Sequence, residues 1–124
     1  MQALQALEHA FGDGWSATGA SAANTAGALS KAAVSGKCHY ISGFSVVVTA
    51  AAATSTAAGF LVQLKDGTTS IWEDTLPASA AVGSSIDVTF PTPIRITSGA
   101  AAGLAVAALG ANSIARMNLA GYTI

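Results

Sequence analysis

From Trp15 to Ile124 the apolar residues come in short runs, and almost every run is bounded by Gly, Pro, Ser or Asp. No other feature constrains the fold as strongly. Successive side chains of a strand point to opposite faces, so a period of two marks a half-buried strand, whereas a helix needs apolar residues three and four apart. Phe60, Val62 and Leu64 alternate with Leu61, Gln63 and Lys65, and Asp66-Gly67 follows. Asp-Gly between two β-prone runs is a strong hairpin signal, which makes Thr68 to Leu76 the return strand, with Trp72 in the core and one edge exposed. Ile86, Val88 and Phe90 alternate with Asp87 and Thr89. Pro91-Thr92-Pro93 is expected to end that strand, because proline donates no ladder hydrogen bond. Ile94 and Ile96 then flank Arg95 in a further short strand closed by Ser98-Gly99.

Lys37 to Thr49 is the longest β-prone run. Tyr40, Phe44, Val46 and Val48 are its candidates for the inner face, and Gly43 is expected to mark a bend or bulge. Leu29 to Val34 reads as a short strand followed by a Ser35-Gly36 turn. Trp15 to Gly19 begins an alternating stretch that runs into a soft Ala, Ser, Asn and Gly segment. Ala50 to Ala58 and Pro77 to Gly83 read as loops. Leu104 to Leu109 and Ile114 to Ile124 finish the chain, joined by a turn at Gly110 to Ser113, with the C-terminus tied into a sheet. About eight strands with turn signals every ~8–12 residues indicate a sandwich or barrel. No amphipathic helix is long enough to cross between parallel strands. The expected class is all-β and antiparallel.

Met1 to Phe11 differs. Ala3, Leu4, Leu7 and Phe11 fall at spacings of three and four, on one face of a helix that Gly12-Asp13-Gly14 stops. The expected organisation is therefore a helix or arm over residues 1–14 and a sandwich over 15–124. Such a helix either caps an open end of the sandwich or packs as an arm on another subunit, with fraying as the third outcome.

Composition bears on partners. The chain is 52% hydrophobic and 9% charged, with a formal net charge of -1, against roughly 25% charged residues in an ordinary soluble domain. Lys31, Lys37, Lys65, Arg95 and Arg116 are scattered singly, so neither a nucleic-acid stripe nor a polybasic membrane segment is present. The most apolar segment, Ala100 to Leu109, is far short of the ~20 residues of a spanning helix. The N-terminus lacks the charged and apolar regions of a secretory signal. Little charge means little repulsion between copies, and few edge guards are visible beyond Lys65, Arg95 and the prolines around Thr92. Such sheets are expected to be covered by other copies or by a shell.

No catalytic constellation emerges. Cys38 is alone and reads as a small buried hydrophobe in a strand; its neighbour His39 points to the opposite face, which makes a poor Cys–His couple. Glu73 and Asp74 are adjacent and diverge for the same reason, so they cannot form a facing acid–base pair. His9 and His39 have no Cys, Asp or Glu at ligand spacing, so neither a metal nor a cofactor is expected. Gly12-Asp13-Gly14-Trp15-Ser16-Ala17 lacks the strand and helix that give a dinucleotide fingerprint its meaning. The expectation is that the protein is not an enzyme. Trp15 follows the Gly-rich turn and is a candidate anchor; with Leu4, Leu7 and Phe11 it forms the candidate interface set.

Gly36-Lys37-Cys38-His39-Tyr40-Ile41-Ser42-Gly43 is followed by the block from Leu64 to Glu73, then Val88-Thr89-Phe90-Pro91-Thr92-Pro93-Ile94, and finally Asn118-Leu119-Ala120-Gly121-Tyr122-Thr123-Ile124. This order resembles small tailed-bacteriophage structural proteins with a jelly-roll fold, which decorate heads or form head-attached fibres. It covers roughly the last two-thirds of the chain; Met1 to Ala26 lies outside the pattern. The resemblance implies a jelly-roll β-sandwich, made in the host cytoplasm and placed on the capsid surface of the virion. There it would bind the outer lattice as a homotrimer and cement neighbouring major capsid proteins. No catalytic residue comes with the family. Two other readings stay open: a tail, baseplate or fibre component, and a carbohydrate-binding sandwich that would need exposed rings from Trp15, Trp72, Tyr40 or Tyr122.

Overall fold

The structure is a computed structural model that describes residues 13–23, 25–49, 60–76, 82–109 and 113–124. Leu4, Leu7, Phe11 and the expected helix lie outside these residues, as do the expected loop at 50–58, residues 77–81 and most of the 110–113 turn. The described strands are β1 (Asp13–Ala20), β2 (Gly27–Lys31), β3 (His39–Thr49), β4 (Phe60–Asp66), β5 (Thr69–Leu76), β6 (Ser85–Arg95), β7 (Ala102–Val106) and β8 (Ile114–Thr123). They form two antiparallel sheets in the orders β1-β8-β3-β6 (sheet A) and β2-β7-β4-β5 (sheet B). Apart from the β4–β5 hairpin, each strand is followed by one in the opposite sheet. That alternation is the strand order of a jelly roll. The all-β antiparallel sandwich expected from the sequence is therefore what the chain forms. Asp13 and Gly14, expected to stop a helix, already belong to β1.

Alternation places the core. Val62 and Leu64 in β4, Leu104 and Val106 in β7, and Ala115, Met117 and Leu119 in β8 are buried, while their strand neighbours face outward. The hairpin forms where Asp-Gly predicts it: Gly67 takes a φ of 62°, a left-handed conformation that suits glycine. The C-terminus is tied in as expected, since Ile124 and Cys38 exchange two backbone hydrogen bonds of 3.0 and 2.9 Å.

Four expectations need correcting, each because something non-local intervenes. Tyr40 does not face inward. The register of β3 shifts between Ile41 and Gly43 against both β6 and β8, so the bulge expected at Gly43 is present. One extra residue reverses the parity of the strand. His39 and Ile41 are buried before the bulge, Phe44, Val46 and Val48 after it, and Tyr40 stands on the outer face. Pro91 and Pro93 do not end a strand either: β6 runs through them to Arg95. It can do so because β6 is an edge of sheet A, and the pairing with β3 skips Phe90 to Pro93. Lys65 guards no edge, because β4 is flanked by β7 and β5. Cys38 is only half-buried, immediately before β3, with Arg95 Nη2 donating to its Sγ at 3.3 Å.

The two long sides of the sandwich are closed differently. On one side the β1–β2 connection is fastened to β8: Ser21 N–H donates to the Ala115 carbonyl at 2.9 Å, and Ala115 N–H donates to Ser21 Oγ at 2.9 Å. On the other, between edge strands β5 and β6, aromatic rings fill the gap. Trp72 packs edge-on to Phe44 at 5.0 Å and to Phe90 at 6.3 Å. Trp72 is half-buried against the core, as its sequence position suggested.

Candidate functional site

The strands present their remaining side chains in rows, and the register gives each row its members. Across the outer face of sheet A the first row is Gly14, Tyr122, Tyr40 and Arg95; the second is Ser16, Ala120, Gly43 and Thr89; the third is Thr18, Asn118, Ser45 and Asp87. Tyr40 and Tyr122 stack with centroids 5.0 Å apart and planes 7° apart. That separation matches the ~4.8 Å between neighbouring strands, so the rings stand face to face across the sheet. The free face of Tyr122 therefore looks toward β1, where Gly14 offers no side chain and no described residue lies within 4 Å of a built Cβ.

Beside this pair lies an open depression of about 380 Å³, floored by Gly43 and Ala120 and rimmed by Ser42, Ser45, Asp87, Thr89 and Asn118. It exists because the two central positions of the second row, Ala120 and Gly43, carry no more than a methyl group. A Cβ on Gly43 would come within 2.7 Å of the Val88 carbonyl oxygen, so glycine is required by the close approach of β6 at the bulge. Two side chains in the third row are already oriented: Asn118 Nδ2 donates to Ser45 Oγ at 3.1 Å, and Ser85 Oγ donates to Asp87 Oδ2 at 2.7 Å.

The outer face of sheet B is different in kind. Around a depression of about 320 Å³ it presents Ala26, Gly27, Ala28, Ala105 and Ala107 with Leu61, which is 39% exposed. Among the described residues, Gln63 is the only polar side chain of that lining. Farther along, Gln63 Nε2 and Ser70 Oγ donate to Glu73 Oε1 at 2.9 and 3.0 Å. These hydrogen bonds, Gln63 first, hold the Glu73 carboxyl below its ordinary range.

Trp15 is placed inside one end of the sandwich, half-buried against the core. Its ring meets His39 edge-on at 5.8 Å and 78°. His39 is 1% exposed. Its Nε2 is 2.8 Å from the Ala32 carbonyl, which only accepts, so Nε2 carries the proton; Nδ1 is 2.7 Å from Thr123 Oγ1. The ring thereby ties the segment after β2 to the ends of β3 and β8. Removing it leaves the buried Thr123 hydroxyl and the part-buried Ala32 carbonyl without this partner. His39→Ala is expected to cost about 2 kcal/mol, read as a lower urea midpoint at unchanged m-value. Among the described residues no three His, Cys, Asp or Glu side chains are grouped to hold a metal.

Of the sequence-derived interface set, only Trp15 lies within the described residues. The outer-face row was not visible in the sequence, because Tyr40 and Tyr122 meet only through the β3–β8 register. Comparisons of the chain with protein-family models, curated proteins and solved structures each returned no match.

Proposed function

We propose that the chain is a bacteriophage virion structural protein, a decoration (cement) protein of the outer head lattice. The observation that carries this reading is the outer face of sheet B, where Ala28, Ala105 and Ala107 surround exposed Leu61 with no charge among the described residues of the depression. Small residues allow a neighbouring backbone to approach closely, and each Å² of apolar surface covered contributes up to roughly 25 cal/mol. The sequence resemblance to jelly-roll head proteins and the low charge support the same reading. The partner of this face is the major capsid protein, and the decorating unit is a homotrimer.

Purified protein added to undecorated heads of its phage is expected to bind in hundreds of copies and to raise the temperature at which heads rupture. Ala105→Glu, which puts a carboxylate in the middle of the face, is expected to abolish binding while leaving the melting temperature of the free protein within a few degrees. Absence from purified particles overturns the proposal; a few copies confined to the tail favour the tail or fibre reading instead. Light scattering on the free protein tests the trimer.

A further inference from the structure

We propose that the outer face of sheet A is a binding site for a neutral saccharide, an adhesive function separate from attachment to a shell and independent of it. The site is the depression over Gly43 and Ala120 together with the stacked Tyr40–Tyr122 pair at its end. Three properties select the ligand class.

The first is the inventory of polar groups. Asp87 is an acceptor with one oxygen already oriented by Ser85, Asn118 keeps its carbonyl oxygen after donating to Ser45, and the Ser42 and Thr89 hydroxyls make no hydrogen bond to a described residue. Sugar hydroxyls both donate and accept, and a carboxylate, an amide and free hydroxyls answer them in both senses. The second is charge. Among the described residues the lining of the depression holds one carboxylate and no cation; Arg95 stands in the tyrosine row beside Tyr40, its guanidinium donating to Cys38 Sγ at 3.3 Å, and Arg116 lies beyond the Asn118 row. Phosphate and acidic polysaccharides are disfavoured there. The third is shape. Successive rows on one face lie about 7 Å apart, so the distance from the tyrosines to the Asn118–Asp87 row suits a ligand of about two linked pyranose rings. The stacked tyrosines close that end of the depression with their ring edges, against which the C–H groups of a sugar can pack, while the free face of Tyr122 looks over Gly14 toward β1.

A peptide fits this place poorly. Strand addition needs an unpaired edge, whereas the floor of the depression, Gly43 and Ala120, lies on β3 and β8, both paired on each side, and only its Asp87–Thr89 wall belongs to the edge strand β6. An apolar ligand would strand the rim groups without partners.

The full chain is tested on an array of neutral and acidic glycans and by ¹H–¹⁵N NMR titration with maltose, cellobiose, lactose and chitobiose. Binding of neutral glycans is expected, with shifts confined to Gly43, Ser45, Thr89, Asn118 and the two tyrosines. Asp87→Ala and Tyr122→Ala are each expected to weaken binding tenfold or more, while Arg116→Ala, on the same face but outside the site, leaves it unchanged. Asp87 is exposed, so its variant folds and keeps the test decisive if Tyr122→Ala does not. No response to any neutral glycan, shifts located elsewhere, or affinity unaltered by Asp87→Ala overturns the proposal. Because the free protein is used, failure here is distinct from failure to bind heads.

Discussion

Gly121→Ala is expected to destabilise the fold by about 4 kcal/mol, at the upper end for a single added methyl group. Gly121 pairs with Trp15 on β1 and with Ile41 on β3. A Cβ there would overlap the Tyr40 carbonyl oxygen and lie 2.9 Å from Trp15 Cζ2. The side chain of Trp15 could turn away at the cost of its packing on His39. The Tyr40 carbonyl belongs to the β3 backbone just before the bulge and has no such freedom. Relief requires moving β3 away from β8, and these are the two central strands of sheet A. The same substitution at Gly14, where the new methyl group meets no described residue within 4 Å, is expected to change stability by less than about 0.5 kcal/mol. Urea unfolding of both variants measures the contrast. Equal effects would mean that glycine at 121 serves chain flexibility rather than clearance.

The difference between these two glycines also marks what the sequence could and could not reveal. Gly67 was legible because a hairpin is local: Asp-Gly between alternating runs is the whole signal. The alternation of Phe60 to Lys65 was legible for the same reason, and with it the class of the fold. Tyr40 was misplaced because parity carries across a strand only if no residue is inserted, and the inserted residue is fixed by β6 and β8 rather than by β3 itself. The proline pair misled because its meaning depends on whether the strand lies at an edge, which is a property of sheet order. Lys65 misled for the converse reason, being interior. The site on sheet A was invisible on the same grounds. Asp87 and Asn118 become neighbours in one row only through Ser45, which pairs with both across two strand boundaries.

On the proposed function, the two outer faces would divide the labour of a layer on a particle. One holds a depression whose described lining is alanines, Gly27, Leu61, Val106 and Gln63, suited to close apposition; the other carries rings, hydroxyls, an amide and a carboxylate, suited to exchanging hydrogen bonds with a hydrated ligand. A jelly roll separates such faces by the full thickness of its core, so a substitution on one need not disturb the other. Ala105→Glu and Asp87→Ala are therefore expected to act independently, the first on attachment and the second on saccharide binding.

That separation depends on the core staying closed between β5 and β6, where Phe44 bears most of the load. Phe44→Ala is expected to cost about 4 kcal/mol. The side chain is 5% exposed, rises from β3 between Leu119 and Val88, and meets Trp72 of the opposite sheet at 5.0 Å and Phe90 at 6.2 Å. Truncation removes the ring that both others rest against, and neither can move inward without leaving its own strand position. Phe44→Leu keeps most of the volume and is expected to cost about 1.5 kcal/mol. Near-UV circular dichroism provides the independent readout, since the Trp72 signal should fade in Phe44→Ala at temperatures where far-UV strand content is still intact. A loss below about 1 kcal/mol, with the Trp72 signal preserved, would mean that the β5–β6 side is held by the Trp72–Phe90 pair alone.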